Sequence, residues 1–198
     1  ALQAQIKPHF LYNVLQAVNW NAIDKGDTET SLIVVNLSNF YRAVLNKGDD
    51  DISVEKELKI VEYYINVEKA IYGDIFKVAY NIDEGIKNCL AIPLILQPLV
   101  ENAIEHGIRS LAEPHGEIAV SAYAEGGTLV FTVSDNGAGI PPQKTDTILT
   151  KATSGYGLKN INERIKLRFG EEYGLRLTSP RNPTVFTITL PLIPLEPQ

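Results

Sequence analysis

The sequence has no methionine, a single cysteine, and no apolar run approaching the roughly 18 to 20 residues of a membrane span. Cys89 alone forms neither an internal disulfide nor a cysteine zinc cage, which points to a reducing compartment. Basic residues are the scarcer charge, 18 against 24 acidic ones, for a net charge of −6. That is the wrong sign for a protein that grips nucleic acid through its phosphates, so nucleic acid is not an expected partner. No low-complexity tract occurs, and 14 Gly and 11 Pro among 198 residues, with 44% apolar and 21% charged residues, exclude collagen-like and disordered classes. What remains is an ordinary globular composition, long enough for one large domain or two small ones. No signal-peptide pattern opens the sequence. Leu2, Ile6, Phe10 and Val14 open it inside a helical pattern instead, and the expectation is a portion of a longer protein.

Helical periodicity fills the first part. Apolar residues at 2, 6, 10, 11, 14, 15 and 18 form a stripe over residues 2–23, with Pro8 marking a kink or a helix start. A second helix is predicted from an Asp27 or Thr28 cap to about Asn46, with Ile33, Leu37, Val44 and Leu45 inward and Gly48 as the stop. A third begins after Ser53, with Val54, Leu58, Val61, Ile65 and Tyr72 forming a heptad-like seam. At Phe76 the period becomes two: Phe76, Val78, Tyr80 and Ile82 read as a half-buried strand. A helix over Leu94 to His106 follows, then a hairpin turning at Gly126-Gly127. Residues 137–157 read as a long loop and candidate lid, followed by a helix with Leu158, Ile161, Ile165 and Phe169 on one face and strands near Leu175–Thr178 and Val185–Leu190. The expected fold class is α+β, divided into residues 1–75 and 76–198.

Three strings carry chemistry. In Gln97-Pro98-Leu99-Val100-Glu101-Asn102-Ala103-Ile104-Glu105-His106-Gly107, helical spacing clusters Glu101, Asn102, Glu105 and His106 on a polar side. The Asn102 amide oxygen suits Mg²⁺ travelling with a nucleotide, although a solvated polar face explains the same pattern. Asp135-Asn136-Gly137-Ala138-Gly139-Ile140 ends a strand: a carboxylate there accepts an exocyclic amine, which adenine has and guanine lacks, and bare glycines admit a flat base. Taken alone, the string is more often a plain Asp-Asn-Gly turn. Gly155-Tyr156-Gly157-Leu158 opens the last helix, where glycine amides make an anion site with Lys159 nearby.

In this order the strings resemble the N, G1 and G2 boxes of the ATP-binding fold shared by sensor histidine kinases, gyrase and MutL-like ATPases. Gln5-Ile6-Lys7-Pro8-His9-Phe10-Leu11-Tyr12-Asn13 is similar to the phosphoacceptor motif of LytS-type sensor histidine kinases. The similarity runs from about residue 3 to 191. The resemblance implies a helical phosphoacceptor and dimerisation segment followed by a Bergerat-type α/β sandwich that binds ATP and Mg²⁺. It implies His9 as the phosphorylated residue, Asn102 as the Mg²⁺ ligand, Asp135 as the adenine-amine acceptor, and Gly137 and Gly139 as room for the base. Gly155, Gly157 and Leu158 would shape the phosphate end of the lid, His106 and Lys159 would contact phosphate or ribose, and Thr187 would support the base site. Asn13 would orient the His9 ring; Glu101 or Glu105 would assist as base, a choice left open because Phe10 stands where many histidine kinases carry an acid. A neutral imidazole beside the apolar stripe has a lone pair with which to attack phosphorus.

The implied whole is the cytoplasmic catalytic portion of a bacterial membrane sensor, a homodimer that passes phosphate to a response regulator. Ile71, where relatives often have arginine, and Arg181-Asn182-Pro183-Thr184, where a glycine-rich turn is usual, depart from the pattern. A degenerate ATP-sensing module and a gyrase-like ATPase without phosphohistidine are the alternatives.

Overall fold

The computed structural model describes residues 8–45, 51–145, 147–149 and 156–195. The chain divides into two compact units, one of residues 1–49 and 59–73, the other of residues 50–58 and 74–198.

The first unit is helical. Helix α1 spans Pro8–Asp24 and α2 spans Thr28–Leu45. Gly26, at φ +68°, makes the turn between them, and Asp27 caps α2 by accepting the Thr30 N–H at 3.0 Å and the Thr30 hydroxyl at 2.7 Å. Helix α3, Val54–Tyr72, starts with Ser53 Oγ accepting the Lys56 N–H at 3.2 Å and stops at Gly73, φ +73°. Its later turns complete this unit. Leu15, Ala22, Val34, Val61 and Ile65 are buried, and the Asn66 amide donates to Asn36 Oδ1 at 3.1 Å. The expected α1 stripe needs correction: Phe10, Val14 and Val18 are exposed while Leu15 and Ala22 are buried, because helical rotation points the 10-14-18 row away from α2. On α2 the expected Ile33, Leu37, Val44 and Leu45 are half-buried, and the stop at Gly48 lies outside the described residues.

The second unit is a five-stranded sheet with helices on one face. Strands β1 (Ile52–Ser53) and β3 (Leu90–Ala91) form a small antiparallel pair of their own. The main sheet takes β2 (Phe76–Ile82), β4 (Gly116–Glu125), β5 (Thr128–Asp135), β6 (Gly174–Pro180) and β7 (Thr184–Pro191) in the order β2-β4-β5-β7-β6. Only β2 and β4 run parallel among the paired strands. Gly126 and Gly127, both at positive φ, close the β4–β5 hairpin with Glu125 opposite Thr128, as the alternation predicts.

Ile118 and Val120 of β4, Leu129, Phe131 and Val133 of β5, and Ile188 and Leu190 of β7 are buried in the core. Helix α4 (Gln97–Asn102), which continues as a π-helical segment Ala103–Ile108, brings Leu99, Val100 and Ile104; the short α5 is Pro142–Thr145; and α6 (Tyr156–Phe169) brings Leu158, Ile161 and Ile165. Burying one large aliphatic side chain stabilises by about 1.5–3 kcal/mol, so this row holds the helices to the sheet.

Candidate functional site

Strand β5 delivers Asp135 to the end of the sheet, next to the π-helical end of α4. The Asp135 carboxylate is 6% exposed and accepts the Gly137 N–H at 2.9 Å. Thr184, directly opposite it on β7, donates its hydroxyl. Burial raises the carboxyl above the ordinary aspartate range, opposed in part by the Gly137 N–H and the Thr184 hydroxyl.

The approach of α4 is close. A Cβ at Gly107 would lie 2.5 Å from Asp135 Oδ1, and one at Gly137 would lie 2.5 Å from Gly107 Cα and 2.6 Å from its oxygen. Only glycine at both positions allows this contact, which the Ala138 N–H closes onto Gly107 O at 3.0 Å. Gly139, at φ +75°, turns the chain beneath Arg181, and the Ile140 N–H bonds Pro180 O at 2.9 Å.

Above Asp135 opens a cleft of about 440 Å³ lined by Asn102, His106, Asp135, Gly139, Lys144 and Thr184, among others. Half-buried Asn102 has its amide nitrogen held by Pro98 O at 2.6 Å, and His106 is exposed at the rim. The cleft combines a buried acceptor at its floor, an exposed cation from α5, and apolar walls from Ala103, Ile140 and Phe186, features suited to a flat, amine-bearing ring with an anionic tail.

Of the expected residues, Asn102, His106, Asp135 and Gly139 therefore share one cleft, with Gly137 packed behind. Gly157 lies where a Cβ would meet Pro98 Cβ at 3.2 Å, so it permits the start of α6 to sit on the start of α4. Leu158 is a core side chain, 1% exposed, rather than a cleft wall. Lys159 pairs with Glu163 at 3.6 Å, and the Glu101 carboxylate accepts from Gln97 at 3.0 Å; neither lines the cleft. Gly155, Gln5 and Ile6 lie outside the described residues.

Thr187 requires correction. The strand alternation turns it to the opposite sheet face, where its hydroxyl meets Thr178 Oγ1 at 2.6 Å, and Thr184 occupies the position expected of it. Thr184, Lys144 and Arg181 escaped sequence reasoning; pairing Asp135 across the sheet was the signal for the first, and being the lone cation of the 142–145 stretch the signal for the second.

In the helical unit His9 is exposed on α1, its Nδ1 3.3 Å from Asn13 Nδ2. Among the described residues no group of three or more His, Cys, Asp or Glu side chains is placed to hold a metal ion, and no helix is long and apolar enough to cross a membrane.

Residues 90–194 match the family described as histidine kinase-, DNA gyrase B-, and HSP90-like ATPase. The chain belongs to that family. Residues 1–76 match a second family, described as histidine kinase. The chain is 38% identical to the sensor histidine kinase YesM of Bacillus subtilis over 194 residues, 96% of this chain and 33% of that protein. It is 36% identical to the sensor protein LytS of Staphylococcus saprophyticus over 203 residues, 99% of this chain and 34% of that protein. It thus spans about a third of the length of these relatives. The crystal structure of histidine kinase ThkA in complex with the response regulator protein TrrA superposes with a TM-score of 0.55 at 16% identity, over 95% of this chain and 58% of that one. The helical segment followed by an α/β ATPase domain is the arrangement that the sequence predicts.

Proposed function

We infer that this chain is the catalytic portion of a two-component sensor histidine kinase, which transfers the γ-phosphoryl group of ATP to His9 and onward to an aspartate of a response regulator. The buried Asp135 carboxylate, wedged between the Gly107 backbone and the Thr184 hydroxyl at the floor of the cleft, carries the reading. An acceptor in that position takes the N–H of the adenine amine and rejects guanine, which presents an acceptor there. Gly137 and Gly139 keep the wall beside it free of side chains.

The donor set also suits magnesium. Mg²⁺ takes one or two protein oxygens and completes its shell with phosphates and water, so the Asn102 amide on the cleft wall is enough to hold it. Bound Mg-ATP supplies the phosphoryl group and Mg²⁺ neutralises its charge. His106 at the rim and Lys144 from α5 add positive and hydrogen-bonding groups around the phosphates. Gly155, Gly157 and Lys159 belong to the phosphate end in this reading, and Leu158 anchors that end in the core.

His9 is exposed, as a nucleophile that must meet a separate site has to be, and Asn13 steers its ring. The neutral ring nitrogen forms the N–P bond, the bond from the γ-phosphorus to the ADP oxygen breaks, and ADP leaves; the other ring nitrogen releases its proton to solvent or to a carboxylate, Glu101 or Glu105 in this reading. In the second transfer the N–P bond breaks as an aspartate oxygen of the regulator takes the phosphoryl group.

Phe10, Val14 and Val18 on α1 and Leu32 and Val35 on α2 are large apolar side chains left exposed on the single chain, which supports a homodimer through the segment of residues 1–75, with residues 76–198 as the ATP-binding domain. The reading places this portion on the cytoplasmic side of a membrane-anchored parent. Incubation with γ-labelled Mg-ATP should label the wild type and leave His9→Asn unlabelled; equal label on both would overturn the reading.

A further inference from the structure

One carboxylate outside the cleft is fully buried. Glu57, on the first turn of α3, is 0% exposed. It accepts three consecutive backbone N–H groups, from Leu94 to Oε2 at 2.8 Å and from Ile95 and Leu96 to Oε1 at 2.8 Å each. Those amides lie in the turn just ahead of α4, with Leu96 at the N-cap of that helix. Arg164 of α6 holds the preceding carbonyl, Pro93 O, at 2.9 Å. Leu94 sits at φ +62°, a left-handed conformation that a leucine keeps only where its surroundings impose it, and the carboxylate below its N–H is such a constraint.

We propose that Glu57 is a positioning residue for the nucleotide site: by clamping the Leu94–Leu96 amides it fixes the start of α4, and through that helix the placement of Asn102 on the cleft wall. This rests on the ATP reading above. Asn102 follows Leu96 by six residues, about 9 Å along a helix, with no loop between to absorb a displacement. Gly107, farther on, is held independently by its contacts with Asp135 and Ala138. Loss of the clamp therefore disturbs the metal and phosphate side of the cleft more than the base side.

The test compares wild type and Glu57→Gln by calorimetric titration with two probes, adenosine and a non-hydrolysable ATP analogue with Mg²⁺, after circular dichroism has shown both proteins folded. Glutamine keeps an acceptor for Ile95 and Leu96 but sets an NH₂ group against the Leu94 N–H. Adenosine affinity is expected to stay within about two-fold while the Mg-analogue binds about ten-fold more weakly, and in an Asn102→Ala background Glu57→Gln should add less than about two-fold. Equal losses for both probes, no loss, or full additivity with Asn102→Ala would overturn the proposal. A wild type that binds neither probe would instead overturn the ATP reading itself. Glu57→Asp, which keeps the charge and shortens its reach, gives the same comparison if the glutamine variant does not fold, with the Mg-analogue again losing more than adenosine.

Discussion

Replacing Gly137 with alanine puts a methyl group where the backbone of Gly107 already stands. The added Cβ would lie 2.5 Å from Gly107 Cα and 2.6 Å from Gly107 O. Carbon atoms rest about 3.5–4.0 Å apart, so the two backbones must separate by about 1 Å. Neither obstacle is a flexible side chain that could swing away. Overpacking of this kind costs about 1–3 kcal/mol, and stretching the Ala138 N–H bond to Gly107 O, now 3.0 Å, adds about 1 kcal/mol. A total of about 2–4 kcal/mol lowers the melting temperature by roughly 6–15 °C.

The functional loss is larger in proportion, because the separation moves Asp135 away from the wall formed by α4. Misplacement of about 1 Å costs on the order of 100-fold in turnover. Thermal melts and His9 labelling read the two effects, with Gly85→Ala as control: its Cβ would meet Asp83 Oδ1 at 3.4 Å, an ordinary contact, and should change stability by no more than about 0.5 kcal/mol. A Gly137→Ala protein that melts within about 2 °C of wild type and labels at the wild-type rate would refute the reasoning.

Two pH dependences follow from the buried acids. Burial raises the Asp135 carboxyl, so it takes up a proton while surface carboxylates are still ionised, and a protonated acid no longer accepts the adenine amine as a charged acceptor. Adenosine affinity should fall as pH is lowered, while Asp135→Asn should be about 10- to 100-fold weaker near neutrality, with little further dependence on pH; titrations across pH check both, and affinity rising on acidification would contradict them. Burial, opposed by the three backbone N–H groups and by Arg164, pushes Glu57 from 4.5 up to about 7. A raised acid favours folding fully below pH 4.5 and loses that contribution as pH rises through 7, a change of about 3 kcal/mol. Denaturant melts should show the stability gap between wild type and the non-titrating Glu57→Gln shrinking from pH 5 to 8; a gap that widens would refute the assignment.

Much of the site was legible because its parts are local. The Asn102 string, the strand ending at Asp135 and the Gly126-Gly127 turn each announce themselves within a dozen residues, and the period change at Phe76 marks the first strand of the main sheet. What escaped depends on tertiary pairing. Thr184 reaches Asp135 only through the β5–β7 register, and an offset of three residues moved that role to Thr187, which faces the other way. Glu57 lies in Val-Glu-Lys-Glu-Leu-Lys, which reads as a solvated helix face, and nothing local says that the amides of residues 94–96 will close over it. The exposed Phe10-Val14-Val18 row looks like core in the sequence because an apolar stripe does not say which of its residues the neighbouring helix covers.

The central claim is that the cleft at Asp135 serves His9. Mass spectrometry of the wild-type chain after incubation with Mg-ATP, kept at neutral to alkaline pH to preserve an N–P bond, tests it most directly. The phosphate is expected on the peptide carrying His9, and to be strongly reduced in Asp135→Asn at Mg-ATP concentrations that half-saturate the wild type. Phosphate on a different residue, or released to solution with none left on the chain, would contradict the claim.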